Sequence, residues 1–163
     1  MKQLLSLILV FCLLLSGCSI TGDWVKEPVT FYYINENYRS NMQQVIASEI
    51  REASGHREDL SYLLALYSMG PATEGLMSPL PTNTSIIPTE HADGKIQLTL
   101  SSHASTLSDA DFTLAGTCIA LTCMELIEID LVSVVCGDRD ITIREDNLLL
   151  ENILVQKTQE ETK

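Results

Sequence analysis

The chain has 163 residues, 45% of them hydrophobic, and a formal net charge of −12, with 22 Asp and Glu against 10 Lys and Arg. That length suits one principal domain with a core of its own. So acidic a surface excludes nucleic acid and anionic lipid headgroups as partners held by charge; it suits plain solubility, cations or a basic protein.

The first eighteen residues read "MKQLLSLILVFCLLLSGC", with Lys2 as a positive start and an apolar run over 4–15 broken only by Ser6. As a helix that run reaches about 18 Å, short of a hydrocarbon core of about 30 Å. It therefore reads as a signal-peptide core and not as a span. Leu15-Ser16-Gly17-Cys18 resembles the lipobox of bacterial lipoproteins: a long apolar residue and two small ones before a cysteine. The resemblance implies cleavage after Gly17, lipid attachment at Cys18 and acylation, of the palmitate kind, at the new amino terminus. Two or three chains anchor stably where one is marginal. The expected organisation is a signal peptide over 1–17, a tether over 18–28, a folded domain over 29–155 and a polar tail over 156–163. Ten extended residues reach about 33 Å, so the domain stays near the extracytoplasmic face of the membrane.

Within the domain, "VTFYYIN" (29–35) is β-branched and aromatic and predicts a strand. Residues 39–54 are ambiguous. Met42, Val45, Ile46, Ile50 and Ala53 fall at helical spacing, while 46–52 also suits a strand with Ile46, Ser48 and Ile50 on one face. Residues 57–71 predict a helix with Leu60, Leu63, Leu64 and Tyr67 as its apolar stripe, stopped by Gly70-Pro71. Residues 85–101 predict a hairpin around Asp93-Gly94, with Ile96, Leu98 and Leu100 on the buried face. Residues 106–129 predict the longest helix, capped by Ser108, with Leu107, Ala110, Leu114, Cys118 and Leu121 as its stripe. A strand over 127–137 ends at Gly137, and a final strand or hairpin follows around Asp146-Asn147. The amphipathic helix and hairpin on either side of "SMGPATEGLMSPLPTNTSII" must share one core, so that stretch is an internal crossover and no domain boundary. The class is α+β: one domain, a small mixed β-sheet with two main helices packed on one side.

Taken in order, "VTFYYINEN", "EIRE" (49–52), "LLALYSMGPATEGLMSPLPTNTSI", "DGKIQLTLS" and "VVCGD" resemble the successive elements of GerMN-domain proteins, a family named from sporulation and spore-germination lipoproteins. The resemblance covers about 29–150. It favours the strand reading of 46–52. Where the family often has glycine in the crossover turn this chain has Asn83, a residue that also tolerates a left-handed backbone. The resemblance implies a non-enzymatic binding or assembly module of the cell envelope. Its expected partners are the membrane through the lipid anchor, an envelope protein and other copies of the chain, with sporulation or germination as one setting.

No constellation of residues proposes a reaction, so no catalytic, cofactor-binding or metal-binding residue is assigned. His56, His91 and His103 lack neighbours at metal-ligand spacing. Glu125 and Glu128, and the trio Asp138, Asp140 and Glu145, are the acidic candidates for an envelope enzyme acting on peptidoglycan or for a cation or small-ligand site around 138–146. Surface solubility is the commoner use of such residues. Cys118 and Cys123, five apart on one helix, have Cα atoms roughly 8–9 Å apart, beyond the reach of a bridge. Cys136 could pair with Cys118, the better placed of the two. The competing reading is three small buried thiols.

Overall fold

A computed structural model describes residues 27–38, 44–91 and 94–148. The signal peptide, Cys18, most of the tether, Asp93, the segment after 148 and the polar tail lie outside the described residues. Strand β1 (Pro28–Asn35) turns Val29, Phe31 and Tyr33 into the core. It pairs antiparallel along its length with β2 (Ile46–Glu52), from Pro28 opposite Glu52 to Ile34 opposite Ile46. The strand reading of 46–52 thus holds, and the helical period over 42–53 gives way to a long-range ladder that outweighs local propensity. A two-residue strand, β3 (Leu76–Met77), joins the other edge of β1, so this sheet has the order β2-β1-β3.

The first helix, α1 (Leu60–Ser68), is capped by the Asp59 carboxylate, which accepts from the Tyr62 N–H at 3.0 Å. It buries Leu63, Leu64 and Tyr67. The chain leaves it through Gly70, whose φ of +87° is open to glycine at no steric cost. The crossover then delivers the hairpin of β4 (Ile86–His91) and β5 (Lys95–Leu100), with Asn83 at φ 66° on the way. Ile96, Leu98 and Leu100 are buried, as their alternation requires. After a 3₁₀ turn (Ser102–Thr106) comes α2 (Asp109–Ile127), then β6 (Leu131–Cys136) and β7 (Arg139–Arg144). β5 and β6 are parallel, because the helix between them carries the chain back to the starting end. β6 and β7 form a hairpin through Gly137 at φ 60°.

The α+β class holds, and one apolar core includes side chains of both helices and both sheets. The strands, however, divide between two sheets, the second having the order β4-β5-β6-β7. The expected strand over 127–137 begins only at Leu131, because α2 runs through Ile127. Glu145–Leu148 is a 3₁₀ turn where a strand or hairpin was expected.

The long helix also departs from its expected stripe. Of Leu107, Ala110, Leu114, Cys118 and Leu121, only Cys118 is buried. The buried set is Phe112, Ala115, Gly116, Cys118, Ile119, Ala120, Thr122 and Cys123. α2 packs against β1 on one side and against β6 and β7 on the other, so two faces are covered and a single stripe does not describe it. By length and composition α2 could cross a membrane, yet here Phe112, Ala115, Ile119, Ala120 and Cys123 lie in the core. Small residues permit the close approach: a Cβ placed on Gly116 would overlap Cδ1 of Ile141 on β7. On the other side, Thr122 Oγ1 accepts the Tyr32 N–H of β1 at 3.0 Å and donates to Cys118 O at 2.9 Å. A helix side chain thereby satisfies a strand donor that β3 is too short to reach.

Thr122→Val keeps the shape and strands that donor, and the expected loss is about 1–3 kcal/mol in a denaturant titration. Thr117→Val, which removes a similar intrahelical bond at an exposed position, is expected to stay within about 0.5 kcal/mol. Equal losses in the two variants would assign the effect to the helix and not to the strand contact.

Candidate functional site

The "EIRE" segment and the crossover "SMGPAT" meet in the fold. In the ladder, Glu49 stands opposite Phe31 and Arg51 opposite Val29, so both charged side chains lie on the face that α1 covers. Glu49 is buried. Its carboxylate accepts from the Ala72 N–H at 2.9 Å and from the Thr73 N–H at 2.7 Å. Arg51 Nε lies 3.6 Å from Glu49 Oε1. Arg51 Nη1 donates to Gly70 O, just beyond α1, at 3.1 Å and to Leu66 O, which also accepts the Met69 N–H, at 3.4 Å. Its guanidinium sits 5.7 Å from the Phe31 ring centroid. Burial pushes the Glu49 pKa up, but the Thr73 hydroxyl and N–H, the Ala72 N–H and Arg51 pull harder, and the net value lies below the ordinary one.

Behind this pair the aromatic rings lock. Tyr33 and Tyr67 stack with centroids 4.8 Å apart, Tyr33 donates to Tyr67 O, and Tyr67 donates to Tyr32 O. Burial pushes the Tyr33 hydroxyl up to about 12 against the pull of Arg51. The crossover also borders a groove of about 580 Å³ whose lining includes Ser68, Met69, Leu80, Thr82, Asn83 and Ile86 and no charged residue.

The other candidates separate. Glu125, Glu128, Asp130 and Glu145 border a hollow of about 400 Å³ beside Tyr32. Partial burial and the Glu125 charge raise the Tyr32 pKa. Asp138 and Asp140 lie at the other end of the β6–β7 hairpin, so the trio Asp138, Asp140 and Glu145 is not one site. Between the two aspartates, Arg139 has a structural post: it donates to Leu107 O and Ser108 O and covers the Phe112 ring at 4.2 Å. Among the described residues no group of three metal-ligating side chains converges. His56 stacks on Tyr62. The His91 side chain lies outside the described residues. His103 Nδ1 is 3.4 Å from Ser101 Oγ, an exposed hydroxyl that already accepts the Ser85 N–H.

Cys118, Cys123 and Cys136 are free and buried, so the bridge from Cys118 to Cys136 is not formed. Cys118 lies in the row of α2 that faces β1 and Tyr67, whereas Cys136 Sγ points to Ser101 O. Burial pushes the thiols of Cys118 and Cys123 up to about 12, which disfavours the thiolate. Sequence reasoning quoted Glu49 and Arg51 only as part of a motif. Their i, i+2 spacing on a strand was the signal that they share a face.

Glu49 is depressed when folded, so its contribution to stability is present above the unfolded pKa, about 4.3, and is lost as the pH falls through the folded value. Glu49→Gln is expected to cost about 1–3 kcal/mol at neutral pH and to flatten the fall of stability between about pH 5 and 3. Parallel acid curves for the two proteins would assign the acid sensitivity elsewhere. The thiols give a second test. In protein purified without reductant, Cys118 and Cys123 are expected to resist alkylation at pH 8 until the chain is unfolded, as read by peptide mass mapping. Rapid labelling of the folded chain, or a bridged peptide, would contradict the buried free thiols.

No protein-family model matches the chain, and no curated protein matches it. Solved structures do. The first GerMN domain of the sporulation protein GerM from Bacillus subtilis matches with a TM-score of 0.50 and 16% identity, over 70% of this chain and 85% of that domain. The tandem GerMN domains of the same protein match at 0.49 and 17%, over 70% of this chain and 40% of theirs. A chain from Clostridium perfringens provisionally named a lipoprotein matches at 0.44 and 15%, over 79% of this chain and 95% of that one. At 16% identity what the chain shares with that first GerMN domain is the fold.

Proposed function

We propose that this chain is a lipid-anchored, extracytoplasmic GerMN-type module that acts by contact with another protein of the cell envelope, in sporulation or germination where the host forms spores. The observation that carries the reading is the pairing of a lipobox at Cys18 with a GerMN fold. The geometry supports a role by contact. The best-placed charged side chains, Glu49, Arg51 and Arg139, all hold elements of the fold together. The acidic balance favours a basic partner over nucleic acid or an anionic membrane surface.

Two measurements test this. Cys18→Ser is expected to shift the protein from the membrane fraction to the soluble one, with a mass lacking the acyl chains. Continued membrane retention with unchanged mass would remove the anchor from the reading. Crosslinking of the anchored chain in cells is expected to recover a stoichiometric envelope protein. Recovery of none, with the chain monomeric, would remove the contact role.

A further inference from the structure

The strand edges of this fold are unequal. Exposed edges invite pairing, and natural sheets blunt them with proline, charge or a covering element. β4 carries Pro88, which has no N–H to offer. β7 carries Arg139, Asp140 and Arg144. The open side of β1 is taken up by β3, by the Tyr32 N–H bond to Thr122, and by Tyr67 and Arg57 donating to Tyr32 O and Pro28 O. β2 has no such cover among the described residues.

The hydrogen-bond parity of β2 follows from its two ends. The Asn35 N–H donates to Val45 O, and the Ala53 N–H donates to Glu27 O. Residues 45, 47, 49, 51 and 53 therefore face β1, because such pairs alternate along an antiparallel ladder. The N–H and C=O groups of Ile46, Ser48, Ile50 and Glu52 face outward over the whole strand. Their side chains lie on the sheet face opposite α1, where Ile50 is 65% exposed, a large apolar residue held in water in the middle of an open edge.

We propose that the β2 edge receives an extended segment of another protein as a fourth strand, antiparallel, with apolar side chains beside Ile46 and Ile50 and a cationic one beside Glu52. This inference rests on the contact role proposed above and gives it a surface and a partner chemistry. Charge selects the occupant. The chain carries a net charge of −12, and a second copy paired over the full strand would set Glu49 directly against its own counterpart. A cationic strand meets Glu52 and the acidic surface favourably. Main-chain bonds supply the affinity and alternate side chains the specificity, as in strand addition generally.

The test uses the full chain in neutral detergent micelles and the probe peptide Ac-Lys-Thr-Val-Thr-Thr-Thr-Val-NH2, whose first, third, fifth and seventh residues stand opposite Glu52, Ile50, Ser48 and Ile46. N-methylation of the third and fifth residues removes donors aimed at the protein. N-methylation of the fourth and sixth removes donors aimed away. The expected result is binding weakened at least about tenfold by the first modification relative to the second, and weakened also by Glu in place of the peptide's Lys. Hydrogen exchange read by mass spectrometry is expected to slow over 46–52 on binding. The proposal is overturned by equal binding of the two methylated peptides, by no binding of the parent peptide, or by protection elsewhere. It is overturned equally if the chain sediments as a dimer with 46–52 already protected, since the edge then belongs to a second copy. If crosslinking still recovers an envelope protein after any of these outcomes, the contact role stands and only the edge is wrong.

Discussion

A carboxylate taken out of water has to find donors, and Glu49 finds them 23 and 24 residues further along the chain, in the amides of Ala72 and Thr73. Arg51 completes the arrangement by donating to Leu66 O within α1 and to Gly70 O just beyond it. Two residues of one strand therefore tie the end of the helix and the start of the crossover to the first sheet. A buried ion pair adds little net stability, because desolvation offsets the attraction. What it fixes here is register. A slip of β2 by one residue against β1 would turn both charges to the opposite face and leave the crossover amides without acceptors. The stacked Tyr33 and Tyr67, with Tyr33 donating to Tyr67 O and Tyr67 to Tyr32 O, fix α1 on β1 separately.

α2 plays the corresponding part for the second sheet. Arg139 ties its first turn to β7, and the Phe112 ring lies under the guanidinium. The close approach at Gly116 leaves no room for a side chain on the side of Ile141, while Thr122 serves β1 on the other side. A helix wedged between two sheets needs small residues and hydroxyls on its covered faces, and the run "LAGTCIALTC" supplies them. The same composition makes the helix apolar enough to resemble a membrane span when read in isolation. The buried hydroxyl is the better guide: Thr122 donates to a carbonyl of its own helix and accepts an N–H from a strand.

Much of the fold was legible because its signals are local. Ser108 caps its helix as expected, Gly70 and Gly137 turn the chain, and Ile96, Leu98 and Leu100 alternate into the core. Misreadings arose where distant partners decide. The stripe expected on α2 failed because two faces are covered. The strand expected from residue 127 starts later because the helix keeps its apolar packing through Ile127. The acidic trio Asp138, Asp140 and Glu145 looked compact in sequence, but a hairpin strand separates its members. The hollow instead collects Glu125, Glu128, Asp130 and Glu145 from the ends of α2, β6 and β7.

By itself the sequence determined the helix boundaries to within a turn, the crossover, the acidic balance and the lipobox pattern, because each depends on residues a few positions apart. Tertiary structure alone decided that 46–52 is a strand, that the strands form two sheets, that Cys118 and Cys136 stay apart, and that Glu49 and Arg51 hold the crossover. Those outcomes rest on contacts between segments about twelve to ninety residues apart. A local pattern can offer a face for burial, but the partner that covers the face is chosen by the whole chain.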